Sequence, residues 1–293
     1  MTGPVVIGLD GSPGSMTAAW WAAEEATRRQ VPLLVLHSWT TQPLDAPIPQ
    51  EAGAKQRYGQ DLLQRTEAEL LHRHRELRVT TELVPDTAAR MLLDRSEDAS
   101  VLVLGSRGLG STASFLLGSI SLHVLGLARC PTVTVRAGDP AVEAGWDHPA
   151  AADRDEVVVG LSTAGPEGDP LLEFAFATAE SHGVGVRVIR ALPRLHTVRL
   201  ASPEHADERG ESEEHTLLAA TVAKWHGNFP DVAVAEQVVT ASAGHALLAA
   251  ATRSRLTVVG RRRHPSHLTW KLGPVAHAVL HHAPCPVAVV PHD

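Results

Sequence analysis

Short apolar runs alternate with longer amphipathic segments along the first half of the chain. Five runs have the length and side-chain branching of buried strands, and they predict strands at 5–9, 33–37, 79–84, 101–104 and 131–135. The segments between them carry apolar residues at helical spacing and predict helices at 15–30, 54–76, 88–96 and 118–128. Strands and helices in strict alternation predict a parallel sheet with right-handed crossovers and helices on both faces.

The second half of the chain repeats the first. VVIGLDGS at 5–12 returns as VVVGLSTA at 157–164, and ARCPTVTV around Cys130 returns as APCPVAVV around Cys285. The sequence therefore predicts two homologous domains, each with a five-stranded parallel sheet, at 1–137 and 156–293. Residues 138–155 between them are rich in Pro, Gly, Ala and Asp without periodicity and are predicted to be a linker. The polar, acidic stretch 193–215 of the second copy is predicted to be an exposed, mobile loop.

Composition and charge narrow the class of protein. Hydrophobic residues make up 44% and charged residues 20% of the chain, which is typical of a globular protein. Aromatic residues are only 4%, so the core is expected to consist of Val, Leu, Ile and Ala, as in parallel sheets. A net charge of −7 argues against general binding to nucleic acids or anionic membranes. Two cysteines, no signal peptide and no long apolar span predict a cytoplasmic protein in which both cysteines are small buried residues.

A glycine-rich segment in the first half carries the candidate chemistry. The apolar run 101–104 leads into Gly105, Gly108 and Gly110, and a Gly118-Ser119 pair opens the next predicted helix. Glycine lets backbone N–H groups approach a phosphate, and a helix N-terminus adds unpaired donors and a positive dipole end. The spacing fits neither a P-loop nor the dinucleotide fingerprint. A phosphate cradle and a plain surface loop with a glycine at a helix N-cap both remain open at this point.

The motif Gly-x2-Gly-x9-Gly-Ser, at Gly105, Gly108, Gly118 and Ser119, resembles the nucleotide-binding motif of the universal stress protein family. Asp10 after the first strand and the closing Cys-Pro-Val-x-Val strand resemble that family as well. The resemblance covers nearly the whole chain, twice. It implies two tandem Rossmann-like domains of the adenine nucleotide alpha-hydrolase-like type, and a stress-response protein that binds ATP with or without Mg²⁺.

The resemblance also implies a role for each matching position. The Asp10 carboxylate would lie on the ribose or adenine side, the backbone of Ser38 would lie against the adenine, and the start of the helix after Gly118 would hold the phosphates. The full set of implied nucleotide contacts is Gly8, Leu9, Asp10, Ser38, Leu104, Gly105, Arg107, Gly108, Gly118, Ser119, Ile120 and Ser121. Two alternatives stay open: Asp10 could instead form an Asx turn before Ser12, and Arg107 could be a solvated loop charge.

The second copy departs from this motif. Asp10 corresponds to Ser162, Gly108 to Arg263 and Ser119 to Pro274, which has no backbone N–H. We therefore expect ATP in the first domain only. Arg261 to Arg263 and His264 form a basic cluster in the second copy, which is either an anion site made of side chains or a solvated basic turn.

No catalytic residue and no metal-ligand set is predicted, which favours a nucleotide-binding regulatory protein over an enzyme. A slow ATP hydrolase and an interaction protein with an empty cradle are the two alternatives. For partners, the sequence predicts an adenine nucleotide, no nucleic acid and no membrane, and it leaves the protein partner unidentified. The resemblance implies that the last strands, 131–135 and 286–290, pair as an intrachain pseudo-dimer, with dimerisation of whole chains left open.

Overall fold

The apolar runs are strands in the computed structural model, which describes residues 3–40, 49–108, 115–116, 118–163, 165–192, 204–263 and 272–293. The chain divides into two units, with the boundary between Ala152 and Asp153. Each unit has a sheet of five parallel strands with helices on both faces, as the sequence predicts. The cores consist mainly of Val, Leu, Ile and Ala, and both cysteines are buried free thiols. In the part of the chain that the structure describes, no helix is both long enough and apolar enough to cross a membrane.

The strands of unit 1 run in the order β3-β2-β1-β4-β6, all parallel. Their bounds are β1 (Val5–Leu9), β2 (Leu33–Thr40), β3 (Val79–Thr87), β4 (Val101–Gly108) and β6 (Thr132–Arg136), with a short β5 (Phe115–Leu116) antiparallel to the end of β4. The helices are α1 (Pro13–Arg29), α2 (Pro49–Arg73), α3 (Ala88–Arg95), α4 (Ser119–Leu127) and α5 (Pro140–Ala144). Helices α1 and α2 pack together on one face of the sheet, and α3 and α4 pack together on the other.

Strand β4 is longer than predicted, because it continues through the first glycines of the motif. Arg107 pairs with Leu116 and Gly108 pairs with Phe115, so the backbone there is held in a ladder rather than in a loop. The prediction that a loop begins at Gly105 is therefore wrong. Gly110 lies outside the described residues.

The predicted linker is folded against unit 1. The Asp139 side chain accepts a hydrogen bond from Ala141 N–H (3.1 Å) and caps α5, and Val142 and Trp146 are buried. Thr17 Oγ1 on α1 lies 3.2 Å from Glu143 Oε1. The apolar positions of residues 138–155 are too few to show a helical period, so the sequence pattern does not reveal this packing.

Unit 2 repeats the strand order of unit 1, which from the matching edge reads β9-β8-β7-β10-β11, again all parallel. Its strands are β7 (Glu156–Leu161), β8 (Gly185–Leu192), β9 (Val234–Thr240), β10 (Ser254–Arg262) and β11 (Val287–His292). Its helices are α6 (Asp169–His182), α7 (Glu204–Asn228), α8 (Ala243–Ala250) and α9 (Pro274–His282). The predicted mobile loop 193–215 is helical from Glu204 onward, and its earlier part lies outside the described residues.

A close backbone contact joins α1 to the sheet of unit 1. A β-carbon on Gly105 would lie 2.5 Å from the Gly14 carbonyl oxygen and 2.7 Å from Ser15 N, and one on Gly14 would lie 2.5 Å from the Ser106 carbonyl oxygen. At Gly260, the matching position in unit 2, the nearest atoms belong to side chains, His292 (2.8 Å) and Leu171 (3.2 Å). Glycine at 105 is therefore required for helix packing.

Replacing Gly105 with alanine should destabilise unit 1, because two stretches of backbone cannot move aside. We expect Gly105→Ala to lower the free energy of unfolding by about 1–3 kcal/mol, the usual cost of overpacking. Gly260→Ala should cost clearly less, since an imidazole and a leucine side chain can rotate away. Urea denaturation of the two variants checks this, and equal losses would contradict it.

An acidic residue ties α7 to α6 in unit 2. Asp169, in the first turn of α6, accepts hydrogen bonds from Lys224 Nζ (2.6 Å) and Trp225 Nε1 (3.0 Å). Burial opposes ionisation of this carboxyl, but the hydrogen bonds from Lys224 and Trp225 outweigh it and lower the pKa of Asp169 below 3.8. A lowered pKa means that the folded state favours the charged carboxylate.

The contribution of Asp169 to stability should therefore be complete above pH 3.8 and should be lost as the pH falls through the lower pKa of the folded state. At neutral pH we expect Asp169→Ala to lower the free energy of unfolding by about 1.5–3 kcal/mol, the range of a hydrogen bond to a charged group. The difference from wild type should shrink in acid. Glu173→Ala, an exposed position on the same helix, is the control and should change little. A difference for Asp169→Ala that stays constant down to pH 2 would contradict the pairing.

Candidate functional site

A crevice opens in unit 1 where the direction of the chain reverses across the sheet. The chain moves from β1 outward to β2 and β3, and then returns to place β4 on the other side of β1. The carboxyl ends of β1 and β4 are therefore not covered by a crossover between them. Open parallel sheets bind ligands at this point of reversal.

The crevice measures about 180 Å³ and brings together nine of the twelve predicted nucleotide contacts. Those nine are Gly8, Leu9, Asp10, Leu104, Gly105, Gly118, Ser119, Ile120 and Ser121. Ser38 is not among the lining residues. Arg107 and Gly108 are placed only through their backbone pairing with β5.

The N-terminus of α4 forms one wall of the crevice. Gly118 is the N-cap residue with an extended backbone (φ −63°, ψ 157°), and the helical hydrogen bonds begin with Leu122 N–H donating to the Gly118 carbonyl (3.0 Å). The N–H groups of the three residues before Leu122, which are Ser119, Ile120 and Ser121, have no acceptor within the helix, as at every helix start. A β-carbon on Gly118 would have no heavy atom of the described residues within 4 Å, so none of them fills the space beside the N-cap residue.

Asp10 and two serines form the opposite rim. Asp10 is exposed, and its Oδ1 accepts a hydrogen bond from Ser12 N–H (2.9 Å), so it does form the Asx turn. Ser12 caps α1 by accepting from Ser15 N–H (3.2 Å), and Ser15 Oγ donates back to the Ser12 carbonyl (2.9 Å). A carboxylate has about four acceptor positions, so the Asx turn and a ligand contact by Asp10 are compatible.

The side chain of Ser38 faces away from the crevice. Its hydroxyl lies within hydrogen-bond distance of the carbonyl oxygens of Thr40 (2.8 Å) and Asp86, at the β2–β3 side of the sheet. The neighbouring His37 is buried, and its Nδ1 donates to the Leu9 carbonyl (2.9 Å), which fixes the end of β1. The contact between Ser38 and an adenine stays a prediction.

Helix α3 supplies an apolar wall that the glycine motif does not indicate. Met91 and Leu92 are buried and line the crevice, and a β-carbon on Gly8 would lie 2.9 Å from Leu92 Cδ2. Ile120 faces them from α4 and is 48% exposed, which is unusual for such a residue. The signal available in the sequence was the amphipathic segment after β3, since a helix at that position of the repeat packs beside β1.

Gly105 plays a different part from the one expected. The motif suggested that its missing side chain admits a phosphate, but the space in which a β-carbon would stand is occupied by the α1 backbone. Among the motif glycines whose surroundings are described, Gly118 is the one with open space in front of it, whereas Gly105 serves packing.

Unit 2 has a crevice at the same edge of its sheet, with different chemistry. Pro274 replaces Ser119 and Ala276 replaces Ser121 at the start of the helix. Ala191 occupies the position of Ser38. Arg190, at the position of His37, donates through Nη1 to the Ser162 carbonyl and through Nε to Glu214 (3.2 Å).

The basic cluster of unit 2 is engaged with the protein's own acids. Arg262 pairs with Glu167 at 3.0 Å, Arg263 lies 3.7 Å from an oxygen of Asp293, and Arg261 is buried. His264 lies outside the described residues. These ion pairs favour the solvated-turn interpretation for Arg262 and Arg263 over an anion site.

Comparison with known proteins agrees with the repeat and the fold. The family model described as the universal stress protein family matches residues 1–136 and again residues 154–291. A universal stress protein of Mycolicibacterium smegmatis is 30% identical over 98% of this chain and 96% of its own length. The universal stress protein Rv2005c of Mycobacterium tuberculosis is 31% identical over 97% of this chain and 96% of its own length.

The fold is also similar to that of a solved structure. The crystal structure of a universal stress protein from Archaeoglobus fulgidus superposes with a TM-score of 0.70, covering 99% of this chain and 98% of that one, at 19% identity. At that identity the likeness concerns the fold alone. The two matches to the family model and the full-length relatives establish the family: the chain belongs to the universal stress protein family, as a tandem of two such domains.

Proposed function

We propose that unit 1 binds ATP, and that the bound nucleotide sets the conformation or the choice of partner of this protein in a stress response. The observation that carries the proposal is the open, uncapped start of α4 at Gly118, facing the carboxyl ends of β1 and β4. The proposed contacts are the predicted set, Gly8, Leu9, Asp10, Ser38, Leu104, Gly105, Arg107, Gly108, Gly118, Ser119, Ile120 and Ser121. Mg²⁺ would accompany the phosphates, with Asp10 the nearest carboxylate on the rim.

The start of α4 suits a phosphate group in charge and in geometry. Anions are stabilised at helix N-termini by about 0.3–1 kcal/mol in exposed positions and by up to about 2 kcal/mol in partly buried ones. Charge-assisted hydrogen bonds from backbone N–H groups add to this. The hydroxyls of Ser119 and Ser121 stand beside those donors, on the crevice wall.

The base and ribose would lie on the apolar side of the crevice. Met91 and Leu92 from α3 face Ile120 from α4, so a flat apolar group can be sandwiched between the two helices. Covering Ile120 would remove an exposed apolar side chain from water, which is favourable by roughly 25 cal/mol per Å². Asp10 stands on the rim between the two regions, where a ribose hydroxyl can donate to it.

The proposal assigns ATP to unit 1 alone. In unit 2 Pro274 has no N–H to offer, and Ala276 has no hydroxyl. The Arg190 side chain, bonded to the Ser162 carbonyl, stands at the position of His37. A phosphate in that crevice would also meet the Glu167 carboxylate.

The proposed role is that of a binding protein without a dedicated catalytic set. Asp10 is the single acid among the described residues that line the crevice, and one carboxylate does not supply the positioned base and electrostatic clamp of a phosphoryl-transfer enzyme. The cytoplasmic location, the pairing of the last strands of the two repeats and the dimerisation of whole chains stay predictions of the sequence.

A side chain at Gly118 should block the nucleotide without harming the fold, since the space it enters is open. We expect Gly118→Val to weaken ATP binding at least tenfold, or about 1.4 kcal/mol. Gly273→Val is the matched control, because Gly273 has the same backbone conformation (φ −61°, ψ 157°) and equally open surroundings in unit 2. Titration calorimetry with ATP checks both variants, and wild type should bind one ATP per chain. A tenfold loss in Gly273→Val, or two ATP per chain, would contradict the assignment to unit 1.

The charge of Asp10 should matter to the nucleotide separately from its Asx turn. Asparagine keeps a side-chain oxygen for Ser12 N–H but removes the charge, so Asp10→Asn should fold normally and bind MgATP about tenfold more weakly. Ser162→Asn, at the matching position of unit 2, should leave the affinity unchanged. Following ADP release in the same samples measures the slow hydrolysis of the alternative. Unchanged MgATP affinity in Asp10→Asn would remove Asp10 from the proposed contacts.

A further inference from the structure

The crevice of unit 2 is a second pocket whose walls are mainly apolar. It measures about 120 Å³ and is walled by side chains such as Leu161, Leu171, Leu247, Val259, Val275 and Ala276. Five of these six are at least 95% buried, so they are parts of a packed core that borders a free space. At the start of its helix, unit 2 has Pro274 and Ala276 where unit 1 has two serines.

The pocket is walled differently from its counterpart, for a reason visible in the chain. The connection from β1 to α1 takes three residues, 10–12, whereas that from β7 to α6 takes seven, 162–168. The longer connection shifts the start of α6, so the helix backbone that covers Gly105 in unit 1 has no equivalent at Gly260. The Leu171 and His292 side chains lie there instead, and both line the pocket.

The charged groups at the pocket mouth are already paired. Glu167, which lines the pocket, accepts from Arg262 (3.0 Å) and lies 3.4 Å from Thr163 Oγ1. Arg190, which is not a lining residue, bonds to the carbonyl of Ser162, which does line the pocket, and to Glu214. A charged ligand would have to break these pairs, and an anionic one would also face the Glu167 carboxylate. The mouth therefore discriminates against ions.

We infer that the unit 2 crevice binds a small uncharged hydrocarbon-like molecule of about the size of benzene. An enclosed cavity of about 150 Å³ lined by aliphatic side chains takes up benzene. This pocket has a similar size, and its aliphatic walls stand beside a polar part made of Ser162, Thr163, Glu167 and His292. Transfer of such a molecule from water is favourable in proportion to its apolar area. A nucleotide would lack the hydrogen bonds that the N–H group and the two serine hydroxyls offer in unit 1, because Pro274 and Ala276 replace those residues here. The two units would then bind two different classes of ligand.

Fluorobenzene and ¹⁹F NMR test this directly on the full chain. The fluorobenzene signal should broaden in the presence of wild-type protein, with a dissociation constant below about 1 mM, and an excess of ATP should not reverse the broadening. Val275→Trp places an indole ring in the pocket and should weaken fluorobenzene binding at least tenfold. Val275→Thr keeps the shape of the side chain but adds a hydroxyl, so it should fold normally and weaken binding about fivefold.

Ile120→Trp is the matched variant in unit 1, because Ile120 corresponds to Val275. It should leave fluorobenzene binding unchanged while weakening ATP binding, so failure of this inference and failure of the ATP proposal are seen in different measurements. Three results would overturn the inference: no broadening of the fluorobenzene signal with wild type, broadening by both Val275 variants as strong as by wild type, or full displacement of fluorobenzene by ATP.

Discussion

The contact between the first turn of α1 and β4 fixes the geometry of unit 1. Gly14 and Gly105 let two stretches of backbone approach more closely than any side chain would allow. This contact seats the N-terminus of α1, and with it the Ser12 cap and the Asx turn of Asp10, against the carboxyl end of the sheet. The crevice is bounded on that side by this contact and on the other by the start of α4. Its shape therefore follows from a packing requirement rather than from any contact with ligand.

Unit 2 shows what happens when that contact is released. Four additional residues between β7 and α6 remove the backbone-to-backbone packing, and the Leu171 and His292 side chains take its place. The change in loop length thus accounts for the side-chain wall of the second crevice, while the substitutions at Pro274 and Ala276 account for its polarity.

The fold could be predicted from the sequence because strand runs, helical spacing and the internal repeat all indicated one architecture. Most of the candidate site could be predicted too, since ligands of parallel sheets bind at the ends of the strands that flank the reversal point. Three features of the fold and the site could not be predicted from the sequence. The role of Gly105 depends on what faces it across the sheet, Met91 and Leu92 come from a helix outside the motif, and α5 is too short to show a period. Each depends on tertiary contacts between distant segments, which local patterns do not report.

Two free-energy terms are available at this edge of the sheet, and the two units use them differently. The helix start provides an electrostatic term, with hydrogen bonds to charged groups of about 1.5–3 kcal/mol each. The helix walls provide an apolar term, roughly 25 cal/mol per Å², or about 2–3 kcal/mol for 100 Å². Unit 1 offers both terms at once, which suits a molecule that is apolar at one end and anionic at the other. In unit 2 the electrostatic term is weakened at Pro274 and opposed by Glu167, while the apolar term persists. A duplicated fold can therefore exchange the class of ligand that it binds while its sheet and helix order stay the same.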